Sequence, residues 1–124
     1  MARVVVLDVD GTLVDLLPAI GTGLDAVREE LRVLTPAAAG LTVDDLQADC
    51  AFVHAALPGA PVEEFRRAGF ARSLIRLGLD PNVWLDRITD VFFERRYAST
   101  RRYDDVLPAL AALRPSHVVG VASN

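Results

Sequence analysis

The chain has 124 residues, of which 52% are apolar, so it is long and hydrophobic enough for one folded domain and is not a disordered chain. Its net charge is −4, and its 13 basic residues, all arginine, are scattered along the sequence, which argues against a nucleic-acid surface. A single cysteine rules out an internal disulfide, and neither a membrane-length apolar run nor a signal-type leader is present. We therefore expect a cytoplasmic protein that binds neither membranes nor nucleic acid.

The first predicted element is a strand that ends beside two acidic residues. Residues 4–15 read VVVLDVDGTLVD, and the apolar run at the start is typical of a strand covered on both faces, as in a parallel sheet. Side chains two apart in an extended chain point the same way. We therefore expect Asp8 and Asp10 to project together from the carboxyl end of this strand, where open α/β sheets bind ligands.

Two carboxylates in one small site are suited to nucleophilic and acid–base chemistry. Like charges held close together resist joint ionisation, so we expect one anionic and one protonated group, particularly beside a divalent cation. The anionic group is suited to attack as a nucleophile, and the protonated one to serve a leaving group. Gly11 permits a sharp turn, and the donors near Thr12 are suited to an anion such as phosphate. The competing interpretation is an ordinary Asp-Gly turn beside a solvated acid.

The middle of the chain is predicted to form four amphipathic helices joined by short Pro/Gly turns. Apolar residues recur there at three- and four-residue spacing. Thr42 with Asp45 resembles a capping box, and Asp80 followed by Pro81 marks another helix start. Helices of this kind are expected to bury their inner faces against one another as a bundle. The predicted ranges are about 15–34, 42–57, 62–77 and 80–97.

The last part of the chain is predicted to return to the sheet. Residues 99–103 are polar and suit a linker, and a short helix capped by Asp104 or Asp105 follows them. Residues 117–122 then form another strand of the buried type. Ser123 at its end is suited to face phosphate oxygens, although a serine in this position is also an ordinary turn residue.

The stretch around Asp8 resembles motif I of the haloacid dehalogenase-like (HAD) hydrolase superfamily, hhhhDxDGT, in which h is apolar and x is any residue. The strand that ends in Ser123 and Asn124 resembles motif II, hhhhh(S/T). The helices between them resemble the α-helical cap of the phosphoglycolate phosphatase-like class. The resemblance implies an α/β fold with a HAD-like Rossmannoid core, residues 1–14 and 103–124, whose parallel sheet is incomplete here, and an inserted α-helical bundle cap, residues 15–102.

The resemblance also implies a reaction. Asp8 would be the nucleophile that forms an aspartyl-phosphate, and Asp10 would be the acid and base. Both would hold Mg²⁺, Asp10 through its backbone carbonyl, and Thr12 would orient Asp10. Phosphatases of the superfamily keep the second Asp and dehalogenase-like members replace it, so a Mg²⁺-dependent phosphatase acting on a small phosphorylated metabolite is expected. The implied phosphate-binding residues are Gly11, Thr12, Ser123 and Asn124.

The chain departs from the superfamily pattern in two respects. Motif III supplies a lysine and motif IV supplies acids for magnesium, but the chain contains no lysine and Asn124 is its last residue. The superfamily sheet has about five strands, whereas two are predicted here. We therefore expect an amino-terminal fragment that is inactive or nearly so. A non-catalytic remnant or interaction protein, self-association through the incomplete sheet, and other superfamily chemistry (phosphonate hydrolase, dehalogenase or phosphomutase) stay open as alternatives.

Two further groups of residues carry weaker signals. Cys50 and His54 lie four residues apart, as a metal-binding or nucleophile pair would, but a packed thiol and a structural histidine are the favoured interpretation. Four arginines near the end of the fourth helix are suited to a second anionic group on a substrate, although a solvated charged face is favoured for them. These residues are Arg95, Arg96, Arg101 and Arg102.

Overall fold

The computed structural model describes residues 3–123, and within that range it contains five α-helices, one 3₁₀ turn and four strands. The strands are β1 (Arg3–Asp8), β2 (Val14–Asp15), β3 (Arg101–Arg102) and β4 (His117–Ala122). The helices are α1 (Leu16–Leu34), α2 (Val43–Ala56), α3 (Val62–Arg76), α4 (Pro81–Ser99) and α5 (Val106–Leu113), and the 3₁₀ turn is Pro36–Ala38.

Strands β1 and β4 form a two-stranded parallel sheet, which confirms the predicted parallel pairing. Arg3 lies opposite His117 and Asp8 lies opposite Ala122, so both strands run towards the same edge. The prediction that these strands are covered on both faces is wrong for the described residues. Val4 is 65% exposed and Val6 is 62% exposed, because α5 packs against β4 and leaves this face of β1 open.

A second, smaller sheet joins the point where the chain enters the helices to the point where it leaves them. Strand β2 pairs antiparallel with β3, with Val14 opposite Arg102. Tyr103 extends the contact, since its amide donates to the Leu13 carbonyl (3.1 Å) and its hydroxyl donates to Asp15 (3.3 Å). The prediction of a linker over residues 99–103 missed this pairing. The predicted division of the chain at residues 14–15 and 102–103 stays a prediction.

Helices α1 to α4 form the predicted bundle and contain most of the buried residues. The main contacts are α1 with α4 and α2 with α3, and the rings of Phe70 and Phe92 meet edge to face at 5.4 Å in the middle. Within residues 3–123, no helix is both long enough and apolar enough to cross a bilayer. The buried cluster consists of Leu24, Val27, Leu31, Ala38, Leu41, Leu46, Cys50, Phe70, Leu74, Ile88 and Phe92.

The helix starts follow the predicted caps in two of three cases. At α2, the Thr42 amide donates to the Asp45 carboxylate (2.8 Å) and the Asp45 amide donates to the Thr42 hydroxyl (3.1 Å), which confirms the capping box. At α4, the Asp80 carboxylate accepts the Asn82 amide (2.9 Å). At α5, Asp105 holds the cap position without a side-chain hydrogen bond. Its backbone is helical (φ −84°, ψ −6°), whereas a capping residue needs an extended one.

Candidate active site

The carboxyl edge of the parallel sheet brings the two ends of the chain together. Asp8 is the last residue of β1, and Ser123 directly follows Ala122, the residue that pairs with Asp8. Neighbouring strands lie about 4.8 Å apart, so the ends of β1 and β4 place Asp8 and Ser123 next to each other at this edge. Asp8, Asp10 and Ser123 are all exposed. Asn124, the other residue predicted at this edge, lies outside the described residues.

The loop after β1 is closed around one carbonyl group. The Val9 carbonyl accepts the amides of Leu13 (2.9 Å), Val14 (3.1 Å) and Thr12 (3.3 Å), and the Gly11 amide donates to the Val14 carbonyl (3.0 Å). Gly11 has a φ of 76°, a left-handed conformation that favours glycine. The amides of Gly11 and Thr12 therefore donate to carbonyls within the loop. The role of Gly11 in this geometry is to allow the turn. The exposed Thr12 hydroxyl is the donor that fits the predicted anion.

A cavity of about 570 Å³ lies between the sheet edge and the helical bundle. Asp10 and Ser123 line it from the sheet side. The bundle contributes apolar residues such as Phe92 and two basic residues, Arg66 and Arg96. Asp8 lies beside this cavity, at the same edge, rather than among its lining residues. The structure thus places two of the predicted site residues, Asp10 and Ser123, against one open cavity.

Arg66 lines this cavity, and the sequence interpretation did not name it. It is only 5% exposed, and its guanidinium lies 5.0 Å from the centre of the Phe92 ring. The signal that it left in the sequence is its position on the buried stripe of α3, which also contains Gly69, Phe70, Ser73 and Leu74. A charged residue at helical spacing from apolar ones is costly unless it is paired or has a function.

Only one of the four arginines proposed for a second anionic group lines the cavity. Arg96 does so, and it is half-buried. Arg95, Arg101 and Arg102 are exposed, which fits the favoured interpretation of a solvated face for these three.

The acidic residues at the sheet edge suit a magnesium ion better than a fully protein-bound metal. Within residues 3–123, no group of three or more His, Cys, Asp or Glu side chains is placed to hold a metal. Magnesium commonly takes one or two carboxylates and fills its other positions with water and substrate phosphate. The exposed Asp8 carboxylate fits this pattern, with the Asp10 backbone carbonyl as the second protein ligand that the resemblance implies, and in the described part of the chain Asp8 forms no ion pair.

The Cys50 and His54 side chains have structural surroundings. Cys50 is 1% exposed, and burial raises the pKa of its thiol although the nearby Arg66 guanidinium acts in the opposite direction. A neutral buried thiol is a poor nucleophile and a poor metal ligand. The exposed His54 ring packs on Phe65, with ring centres 4.7 Å apart. Both observations fit the favoured structural interpretation of this pair.

Comparison with known proteins yields structural matches. No protein-family model matches the sequence, and the curated proteins contain no match. The chain is similar to the crystal structure of a 2-haloacid dehalogenase from Pseudomonas syringae pv. Tomato DC3000, with 25% sequence identity and a TM-score of 0.74 over 99% of this chain and 55% of that one. It also resembles a defluorinating L-2-haloacid dehalogenase, with 22% identity and a TM-score of 0.58 over 99% of this chain and 51% of that one. The chain spans about half the length of these two structures.

The sequence motifs, the chain order and the structural matches agree on one family. Motif I lies on β1, a helical bundle follows it, and β4 then returns beside β1 with Ser123 at the shared edge. The overall α/β arrangement matches that of a known haloacid dehalogenase over nearly the whole chain. The chain therefore has a haloacid dehalogenase-like α/β fold, in which part of a Rossmannoid core is combined with a helical cap.

Proposed function

We propose that this protein acts as a Mg²⁺-dependent phosphatase on small phosphomonoesters. The observation that carries the proposal is the position of Asp10 and Ser123 on one cavity, next to Asp8 at the same sheet edge. A phosphate ester leaves as an alcohol and needs a proton on its leaving oxygen. Asp10 is the acid in the cavity that is placed beside the nucleophile candidate, so its presence favours ester hydrolysis.

The proposed reaction has two steps. An Asp8 carboxylate oxygen attacks phosphorus, the bond from phosphorus to the ester oxygen breaks, and the alcohol leaves with a proton from Asp10. Asp10 then accepts a proton from water as the water oxygen attacks phosphorus, and the bond to Asp8 breaks to release inorganic phosphate. The Ser123 hydroxyl would donate to a phosphoryl oxygen in both steps. A bound Mg²⁺ at Asp8 and Asp10 would neutralise charge on the phosphoryl oxygens.

A dehalogenase is the second candidate, and the structural matches favour it. Both matched structures are named as haloacid dehalogenases. A halide leaves as a stable anion and needs no proton. The Asp10 carboxyl group would therefore have no function as a general acid in a dehalogenase. This difference is the reason for ranking the phosphatase first.

A non-catalytic interaction protein is the third candidate. It is favoured by the open faces of the sheet, where Val4, Val6, Val118 and Val121 are each more than half exposed. Open apolar strands are suited to pairing or packing with another chain. This candidate predicts hydrolysis of neither substrate class.

The test measures hydrolysis of an aryl phosphate by the product of the whole reading frame that contains this chain. We expect turnover that requires Mg²⁺ and is lost on chelation. Asp8→Asn should lower kcat at least about a thousandfold because it removes the nucleophile. Asp10→Asn should lower kcat by about a hundredfold to ten-thousandfold, the usual contribution of a general acid–base group.

The matched control is Asp104→Asn, which removes an exposed carboxylate outside the cavity and should leave kcat unchanged. Halide release from chloroacetate is measured in parallel without Mg²⁺. Faster halide release than phosphate release would replace the phosphatase with the dehalogenase. Phosphate release that survives Asp8→Asn would contradict the assignment of the nucleophile.

A further inference from the structure

Tyr103 connects the segment that returns from the bundle with the loop that carries Asp10. Its amide donates to the Leu13 carbonyl (3.1 Å), and its hydroxyl donates to the Asp15 carboxylate (3.3 Å). These two acceptors lie on either side of Val14 in the chain, so a single residue holds strand β2 at both ends. Tyr103 is not among the residues that line the cavity. It can therefore affect chemistry there only through other residues.

Strand β2 in turn holds the backbone around Asp10. The Gly11 amide donates to the Val14 carbonyl (3.0 Å), the Val14 amide donates to the Val9 carbonyl (3.1 Å), and Asp10 itself is bridged to Val14. Both neighbours of Asp10 are thus bonded to Val14, and a shift of β2 would move Asp10 with it. A shift of about 1 Å at a catalytic group is enough to cost about a hundredfold in rate.

The Asp15 side chain bonds the return segment instead of the helix that it precedes. Asp15 holds the capping position of α1 with an extended backbone (φ −83°, ψ 92°), but within residues 3–123 its carboxylate accepts no amide of that helix. An Asp in this position usually accepts an amide of the first turn. Loss of solvent contact, together with a smaller effect of the Asp15 carboxylate, raises the pKa of the Tyr103 hydroxyl above its ordinary value of 10.0. The hydroxyl is therefore protonated at neutral pH and donates to Asp15.

We propose that Tyr103 is a positioning residue for Asp10 and that Asp15 is the acceptor through which its hydroxyl acts. The hydroxyl fixes β2 through Asp15, and β2 fixes the loop that places Asp10 at the cavity. A general acid works only within hydrogen-bond reach of the oxygen that it protonates, so a displaced Asp10 would protonate a leaving oxygen poorly. This role of Tyr103 rests on the proposed phosphatase function.

Two esters of similar size test the role in the product of the whole reading frame with Mg²⁺. The leaving oxide of 4-nitrophenyl phosphate needs no proton, whereas that of 2-phenylethyl phosphate does. The value of kcat/KM covers the steps up to departure of the alcohol, so it reports the acid and not the later base. Tyr103→Phe should lower kcat/KM for the phenylethyl ester at least about tenfold more than for the nitrophenyl ester. A loss of folded protein would lower both values by the same factor.

Variants of the acceptor show whether the hydrogen bond itself is responsible. Asp15→Ala should give the same selective loss, and combining it with Tyr103→Phe should add no further selective loss, because both changes remove one interaction. Asp15→Asn keeps an acceptor oxygen and should keep most of the wild-type ratio. Asp15→Ala also keeps the test valid if Tyr103→Phe fails to fold.

The matched control is Thr100→Val, which removes another hydroxyl of the return segment. That hydroxyl donates to the Arg96 carbonyl at the end of α4 (2.8 Å) and not to the Asp10 loop, so the ratio of the two kcat/KM values should not change.

An equal loss for both esters in Tyr103→Phe, the same selective loss in Thr100→Val, or a further selective loss in the double variant would overturn the proposal. Wild-type turnover of the nitrophenyl ester alone would also overturn it, since Asp10 would then supply no proton. Wild-type turnover of neither ester would instead reject the phosphatase function, and this role of Tyr103 with it.

Discussion

At the scale of single residues, Thr42 and Asp45 show how two side chains fix the start of a helix. Each donates a backbone amide to the side chain of the other. The hydrogen bond from the Thr42 backbone is the main reason that the pKa of Asp45 lies below its ordinary value of 3.8, and the Thr42 hydroxyl adds to the effect. The hydrogen bonds to the Asp45 carboxylate therefore stabilise the protein most while Asp45 is ionised.

This dependence predicts a loss of stability in acid. Because the folded-state pKa of Asp45 is lowered, its contribution is complete above pH 3.8 and disappears as the pH falls through the lowered pKa. Asp45→Ala should therefore lower the urea midpoint at neutral pH, and the difference from the wild type should shrink below pH 3.8. Asp44→Ala is the control, since Asp44 lies in the same helical turn outside the capping box. A difference that persists unchanged in acid would contradict this role of the carboxylate.

The site residues divide into those that local sequence identifies and those that it does not. Asp8, Asp10 and Ser123 follow strands, so their common edge follows from strand direction alone. Arg66 is placed by its neighbours, since it packs on Phe92 from another helix and lines a cavity that Asp10 also lines. No spacing rule within α3 specifies those distant neighbours. The only signal of Arg66 in the sequence is that a charged residue lies at helical spacing from the buried residues of α3.

At the scale of elements, the contact between α1 and α4 depends on a residue without a side chain. A Cβ atom at Gly23 would lie 2.8 Å from Cδ2 of Phe92 and 3.0 Å from its carbonyl oxygen. Gly21, one helical half-turn away in α1, has nothing within 4 Å of the same position. The two glycines thus form a matched pair in one helix, one at a helix contact and one in open space.

Gly23→Ala should destabilise the protein by about 1–3 kcal/mol, because the new methyl group overpacks the contact with Phe92. Gly21→Ala should stabilise it by about 0.5–1 kcal/mol, since alanine loses less entropy than glycine in a helix. Urea unfolding of both variants measures the two free energies of unfolding. Shifts of the same sign in the two variants would contradict the α1–α4 contact described here.

Element bounds were largely predictable because their signals are local. The third helix, predicted over 62–77, is Val62–Arg76, and Gly78 follows it with a φ of 75°. The pairing of β2 with β3 was not predictable. It joins two-residue segments from distant parts of the chain, and such short segments have no alternation of apolar and polar residues.

At the scale of the whole molecule, the cap and the partial core meet at the cavity. The bundle contains most of the buried residues, whereas both core strands keep exposed valines. Self-association through the sheet stays a prediction. The sheet edge contributes Asp10 and Ser123 to this cavity, and the bundle contributes Arg66 and Arg96.

The central claim is that Asp8 carries the phosphoryl group during turnover, beside Asp10 and Ser123. Peptide mass spectrometry of the reading-frame product, after turnover of an aryl phosphate with Mg²⁺ is stopped in acid, tests it directly. We predict one phosphoryl group on Asp8, which should be absent in Asp8→Asn and should accumulate in Asp10→Asn. It accumulates because an aryl oxide departs readily without the general acid, whereas hydrolysis of the aspartyl-phosphate is slowed strongly by the loss of the general base. Steady turnover with the phosphoryl group on another residue, or unchanged turnover in Asp8→Asn, would contradict the claim.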